Sequence, residues 1–564
     1  MKIIEPSVEL WKQENDIAHA VRCARVCYKR ESGNDEATYR HLINNKHYSV
    51  FRHASYYYII NKNKVYHKII DTFINGVDSK LKIVGIDIKY DKTNIYIVVN
   101  GQFLLEHPSF ITAISKYQVD EDTFKNTEIG FNMLRYTFKV VTQISTSREL
   151  NRVSPNNIAE MSTRYIGFSD KQPIYEYDLH TEQGIIDAYL AGHSINKIDK
   201  YSGISHNKIR DILVDNNITI RNTTSMVNHD AFKNINSHEK AYLLGLIETD
   251  GNIRLSHNEI NITQHKDYYL YIKAIMSYVL GSINETNDRN CKKLYCFSNE
   301  AVNDLINIGI VENKTYKQTD EDSIKLINAI PKEFYPSFIR GIFDGDGCIG
   351  FYKDKKGYDN IHFYIAVHTN KLASFIENII KTVINKDSVR ITYRNSLYYI
   401  SLHSKKDIIA FGNYMYSGFS YPFGHPDKTA RYINFLQNNT NINYNFPISN
   451  FGDDKFKICI PHWISKCTNA GAIFTYILGM YASEETYKVL INDYYLHRQD
   501  ARGALPIDTA TVCAYTYSID EWRAIIDLRY YGTTGKPHEN AKIIAGMIKN
   551  ELEQLGYDFA KENT

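Results

Sequence analysis

Two stretches in the middle of the chain end an apolar run in carboxylates and a glycine: AYLLGLIETDG, Ala241 to Gly251, and FIRGIFDGDG, Phe338 to Gly347. Each reads as a helix. Gly245 and Gly341 put no side chain at the point where two such helices would cross, so their ends converge and Asp250 meets Asp346. Two carboxylates at close range repel, and both stay ionised at neutral pH only with a cation between them. All-oxygen donors suit Mg²⁺ held beside a phosphate. Such an ion polarises the phosphate and lowers the pKa of an attacking water. Glu248 and Asp344 point in other directions from the same helices and read as support rather than as ligands.

Each motif precedes a strand-like stretch, GNIRLSHNEINIT or GCIGFYKD, and the copies stand 96 positions apart. Such a repeat implies a pseudo-two-fold domain. The middle segment therefore resembles the two-motif LAGLIDADG homing endonucleases. The resemblance implies an αββαββ saddle in the DNA major groove, with Asp250 and Asp346 as ligands of the catalytic metal. It also implies a polar active-site role for Gln264, in NITQHKD. Lys405 and Lys406, in HSKKDI, become partners for scissile-strand phosphates, with Lys293 a weaker candidate. Both motifs keep the metal acid despite reading IETDG and FDGDG.

Upstream lies a helix-turn-helix pattern. Ser194 and Ser205 stand at N-cap positions and Gly203 at a tight turn. Ile195, Ile198, Ile204, Ile209 and Ile212 would close a small core. The last helix then presents His206, Asn207, Lys208 and Arg210 to phosphates and base edges. Beside the acidic repeat, this pattern favours binding of double-stranded DNA. A repressor that does not cut is the competing reading, and the intact acids argue against it. Convincing splice edges are absent from IGFSDKQPI and NYNFPISNFGDDK, so the middle segment reads as a permanent insertion rather than an intein.

The outer segments carry another chemistry. The first holds NKHYSVFRHAS and STSRELNRVSPNNIAEMSTRY; the last holds HRQDARGALP and DLRYYG. Arginines beside polar side chains suit bidentate phosphate contacts. The combination, over roughly residues 10–168 and 455–550, resembles flavin-dependent thymidylate synthase. That family's signature of Arg-His-Arg, seven residues, then Ser is matched here in spacing and at Arg152 and Ser162, with Val153 in place of the histidine and Ser154 in place of the second arginine. The upstream His-x-Ser-x-x-x-His survives as His47, Ser49 and His53, with Arg52 where the family has Glu. The resemblance implies a homotetramer with sites built from several subunits. FAD would be held by His53 and Arg152, with His47 and Ser49 nearby. dUMP would be held by Glu160, Ser162, Arg164, Gln499 and Arg502, with Arg529 polarising the uracil. NADPH and methylenetetrahydrofolate would complete the conversion to dTMP. Val153 and Ser154 put that activity in question, so an endonuclease in a degraded host is the rival.

The elements that must position these residues follow from pattern. The expected class is α+β: a split synthase fold over 1–170 and 448–564, a helix-turn-helix over 171–225, and the saddle over 226–447. The first part alternates a helix, DIAHAVRCARVCY, with strands such as LKIVGIDIKY and NIYIVV, and a long helix is expected around SPNNIAEMSTRY. The last part reads as mostly helical, through ASEETYKVLIND, SIDEWRAIIDLRYY and ENAKIIAGMIKNELEQLG. The 564 residues are 43% apolar, enough for several cores. The net charge of +2 means that any DNA-binding surface is a local patch. Eight cysteines make no disulfide scaffold in this length. Without an apolar signal core or an 18-residue apolar run, the chain is expected in the cytoplasm or another reduced intracellular compartment, away from membranes.

Overall fold

A computed structural model describes the chain except residues 14, 29–33, 63–84, 154–157, 162–176, 191–192, 219, 221–226, 354, 356–358, 443, 453–455, 493, 495 and 560–564. The architecture mixes α and β and divides into two compact units. A middle unit holds residues 168–454 with Met1 and 465–482. A flanking unit holds 2–167, 455–464 and 483–564. Among the described residues no helix is long and apolar enough to cross a membrane.

The middle unit opens with α1 (Glu182–Leu190), α2 (Ile195–Ser202) and α3 (His206–Asp215). Ser194 caps α2 by accepting from the Lys197 N–H, and Gly203 ends it at φ +69°. Ser205 occupies the N-cap position of α3 but makes no capping bond through its side chain. Ile195, Ile198, Ile209 and Ile212 are buried.

Two repeats of one topology follow. The first is α4 (His238–Thr249), β1 (Gly251–Arg254), β2 (Glu259–His265), α5 (Tyr269–Leu280), β3 (Asn284–Asp288), β4 (Cys291–Phe297) and α6 (Asn299–Asn307). Short α7 (Lys314–Lys317) and α8 (Asp320–Ala329) lead to the second. That repeat is α9 (Tyr335–Asp346), β5 (Gly347–Lys353), β6 (Asp359–Val367), α10 (Asn370–Ile384), β7 (Arg390–Arg394), β8 (Leu397–Leu402), α11 (Lys405–Met415) and α12 (Pro426–Asn439). The sheets run β1–β2–β4–β3 and β5–β6–β8–β7, antiparallel throughout. Side chains alternate across each sheet. Ile260, Ile262, Phe363, Ile365 and Ile400 fill the cores, and most side chains of the opposite faces are partly or fully exposed, with Glu259, Asn261 and Ala366 buried.

The two motif helices start in different ways: the Ser237 hydroxyl caps α4, whereas Pro336 occupies the first turn of α9. Both run through the core. Leu243, Leu244 and Leu246 of α4 are wholly buried, each stabilising the fold by roughly 1.5–3 kcal/mol. They cross at the two glycines. A Cβ added to Gly245 would lie 2.3 Å from the Phe338 carbonyl oxygen, and one added to Gly341 would lie 2.3 Å from that of Tyr242. Each would also stand 2.9 Å from the other glycine's Cα.

In the flanking unit both outer segments build one sheet. Its strand order is Ser7–Trp11, Arg135–Gln143, Ala510–Ser518, Ile158–Glu160. The central pair stays in antiparallel register over nine residues, from Arg135 opposite Ser518 to Gln143 opposite Ala510. Phe138, Val140, Tyr517, Trp522, Ile544 and Ile548 pack on it. A second sheet joins Ile86–Tyr90, Asn94–Asn100, Ser55–Asn61 and Gln118–Val119.

Two expectations need correction. The long helix expected around SPNNIAEMSTRY is not found among its described residues, where Ile158–Glu160 is an edge strand on Tyr515, Ala514 and Cys513. Its polar and apolar spacing suits a helix, but the ladder offered by the neighbouring strand takes those backbone groups. The last segment is less purely helical than expected, because ATVCAYTYS forms the long strand Ala510–Ser518. Its β-branched and aromatic residues alternate in the way a strand requires.

Gly341→Ala forces the crossing helices apart, a cost of about 1–3 kcal/mol for an overpacked core. It lowers the thermal midpoint of the full chain by several degrees. Gly479→Ala, where a new Cβ meets nothing within 4 Å, does not.

Candidate functional site

The crossing at Gly245 and Gly341 sends the C-terminal ends of α4 and α9 to one place. Asp250 is the residue after α4 and Asp346 the last of α9. Burial first, then the Asp346 charge, pushes the Asp250 carboxyl up to about 6. Burial also raises Asp346, against the pull of His368, Lys428 and Lys314. The two acids share one electrostatic environment, and a divalent cation would relieve it.

The acids two positions earlier face inward. Glu248 accepts from the Gln318 amide at 3.0 Å, and burial raises it to about 7. Asp344 is almost wholly buried and accepts from the Tyr242 hydroxyl at 2.7 Å and the His425 N–H at 3.0 Å. Both are held by neighbouring groups, which suits support rather than ligation.

Two lysines complete the cluster, and the sequence reading missed both. Lys428, in the first turn of α12, donates to the Asp344 and Gly345 carbonyls at 2.7 Å each and to that of Phe343 at 3.3 Å. It thereby closes the C-terminal end of α9, where a cation complements the helix dipole. Lys314, which opens α7, donates to the Gly251 carbonyl just beyond α4. Burial lowers both ammonium groups, while Asp250 and Asp346 act to raise both. Each lysine follows the last helix of the αββαββ pattern in its repeat. The available signal was a small one: Asn313-Lys314-Thr315 and Asp427-Lys428-Thr429 are the two places in residues 171–447 where Asn or Asp precedes Lys-Thr.

The other sequence candidates fall elsewhere. Gln264 is half-buried at the end of β2, where it acts on the Tyr271 hydroxyl, which in turn feels the Asp344 and Asp250 charges. Lys405 donates to the Asn439 side chain at 3.3 Å and lines a surface pocket with Phe351, Arg431 and Phe435. Neither it nor Lys406 is among the charges that act on the two acids. Lys293 pairs with Glu259 at 2.5 Å on the open face of its sheet. His206, Asn207, Lys208 and Arg210 are all exposed on the first turns of α3.

Two carboxylates, with oxygens from water and a phosphate, match how Mg²⁺ is usually held. Among the described residues no group of three or more His, Cys, Asp or Glu is arranged around one metal position.

In the flanking unit the synthase candidates do not form one described cluster. His53 does not fit a flavin-holding role here: it is buried, and its Nδ1 lies 2.7 Å from the Thr516 hydroxyl. Burial lowers it to about 3. The same chain of polar groups runs through Thr137 to the buried His19. His47, Ser49 and Arg152 are exposed. Glu160 accepts from the Ser147 hydroxyl at 2.8 Å, and Arg529 donates to the Glu149 carbonyl at 2.8 Å. Gln499 and Arg502 are exposed, while Ser162 and Arg164 lie outside the described residues.

No family model matches the chain, and no curated protein matches it. Solved structures similar to part of it include the LAGLIDADG meganuclease I-AabMI bound to uncleaved DNA, at 15% identity, 35% of this chain, 88% of that chain and TM-score 0.24. The N-terminal LAGLIDADG domain of DUF199/WhiA gives 16%, 35%, 91% and 0.22. I-SmaMI bound to an uncleaved DNA target in the presence of calcium ions gives 13%, 35%, 89% and 0.24.

An acid whose folded pKa lies above its ordinary 3.8 is penalised when ionised. Without divalent ions, the folded protein therefore loses stability as pH rises from about 4 through 6. Asp250→Asn raises the thermal midpoint at pH 8 in EDTA, and the gain fades as pH falls through about 6.

Proposed function

We propose that the middle unit is a metal-dependent, site-specific double-strand DNA endonuclease of the two-motif LAGLIDADG homing type. The observation that carries this reading is the glycine-to-glycine crossing, which gathers Asp250, Asp346, Lys314 and Lys428 at the ends of two buried helices. Asp250 and Asp346 would hold Mg²⁺ beside a scissile phosphate. When bound, the ion supplies charge neutralisation at the phosphate and a more acidic water. Lys314 and Lys428 add fixed positive charge beside the phosphodiester, where negative charge builds during cleavage. Gln264 orients polar groups at the rim. The open faces of the two sheets lie in the major groove, a geometry that β-sheet readers use. On a flank of the target, α3 contacts the backbone and base edges through His206, Asn207, Lys208 and Arg210.

A second reading concerns the flanking unit. The nine-residue pairing of Arg135–Gln143 with Ala510–Ser518 favours a host that folds across the insertion. The flavin-dependent thymidylate synthase resemblance would make that host a tetramer using FAD, NADPH, dUMP and methylenetetrahydrofolate. The inward position of His53 weighs against it.

Duplex cleavage in Mg²⁺ is expected to fall by at least ~10²-fold in Asp250→Asn and Asp346→Asn, and by ~10-fold or more in Lys428→Ala. Specific binding without cleavage in the wild type would identify a repressor instead. For the host, the visible absorption spectrum of purified full-length protein is the measurement. Flavin absorbance retained through gel filtration supports the synthase. Colourless protein that gains no flavin on incubation with FAD removes it.

A further inference from the structure

The two repeats share one topology, so their open sheet faces can be compared position by position. Gly251 faces Ile262 across β1 and β2, and Gly347 faces Ile365 across β5 and β6. That register makes Ile262 the counterpart of Ile365 and fixes every other pair.

On the first face, the positions nearest the acids carry hydrogen-bonding groups. Asn252 lies opposite Asn261, Arg254 opposite Glu259, and Thr263 opposite Lys293. They are tied into a network. Glu259 accepts from the Asn261 amide at 2.8 Å and pairs with Lys293 at 2.5 Å and Arg254 at 3.7 Å. Donors and acceptors of this kind read base edges.

On the second face the counterparts have lost the charged and amide groups. Asn252 becomes Cys348, Arg254 becomes Gly350, and Thr263 becomes Ala366. Asn261, Glu259 and Lys293 become Tyr364, His362 and Tyr399. The rings brace one another. His362 stacks on Tyr364 with centroids 5.5 Å apart and planes at 5°, and Tyr364 meets Tyr399 edge-on at 5.4 Å. The His362 ring also lies over Gly350, where an added Cβ would stand 3.2 Å from Nδ1. The result is a stiff surface of rings stepped down to Gly350 and Ala366. The arginines of this face, Arg390 and Arg394, sit on the outermost strand β7, and Arg394 is itself laid over the Tyr399 ring at 4.3 Å.

A guanine in the major groove offers two acceptors and calls for an Arg or Lys donor, whereas thymine offers a methyl group that an apolar surface can contact. Resting on the endonuclease reading, we propose that the two halves of the DNA target are read by different chemistry. The first repeat reads base-edge hydrogen-bonding groups; the second, without a charged group at these positions, reads thymine methyl groups through the ring surface of Tyr364, Tyr399 and His362. The outer arginines of the second repeat hold phosphates. The target is therefore asymmetric, with thymines concentrated under the second repeat close to the cleavage point.

The test uses the full-length wild-type chain with Ca²⁺ in place of Mg²⁺. Bound duplexes are selected from a random-core library, and the half that Lys293→Ala de-specifies is assigned to the first repeat. Deoxyuridine then replaces thymidine in one half at a time, and 7-deazapurines replace purines likewise. Removing methyls under the second repeat is expected to weaken binding by about tenfold or more, and under the first by less than about twofold. The 7-deaza changes are expected to show the reverse order. Equal effects in the two halves, or a second half without selected thymines, would overturn the proposal and leave the endonuclease standing. Failure to select any duplex would overturn both.

Discussion

Everything in the middle unit depends on how closely two helices approach. A single added carbon at Gly245 or Gly341 would enter the partner's backbone, 2.3 Å from a carbonyl oxygen. The absence of that carbon lets two apolar helices pack backbone to backbone in the core. Their ends then converge, and the two sheets that follow are placed as a pair. Chemistry and recognition surface are both consequences of one packing contact.

The same contact carries an electrostatic cost. It gathers Glu248, Asp250, Asp344 and Asp346 where burial raises all four carboxyls. Lys314 and Lys428 offset part of that cost while closing the helix ends, and their own ammonium groups are lowered by burial. A core built for stability alone would not assemble such groups. Raised carboxyls beside buried lysines of this kind cluster at functional sites.

The flanking unit is one body made from segments that the middle unit separates in sequence. Loop closure grows costly only slowly with length. The nine-residue pairing between strands more than 360 positions apart holds that body together. The buried chain of His53, Thr516, Thr137 and His19 locks those strands together from within. That role for His53 is structural, and it competes with the ligand-holding role that its position in the synthase pattern implies.

The sequence by itself determined the repeated acidic motif, the glycines that permit the crossing, and the helix-turn-helix. In each case local residue types carry the whole physical message: apolar period, missing side chain, terminal acid, cap. It could not determine which lysines serve the acids. Lysine is abundant and flexible, and Lys405 looked as suitable as Lys428 until α12 was seen to bring Lys428 to the carbonyls of α9. Nor could it place Ile158–Glu160 or Ala510–Ser518, whose strand state depends on partners far along the chain. The difference between the two sheet faces was written in the residues but became legible only once register paired Arg254 with Gly350 and Lys293 with Tyr399. Local order is set by neighbours in sequence; the acid cluster and the two sheet faces are set by which distant segments the packing brings together.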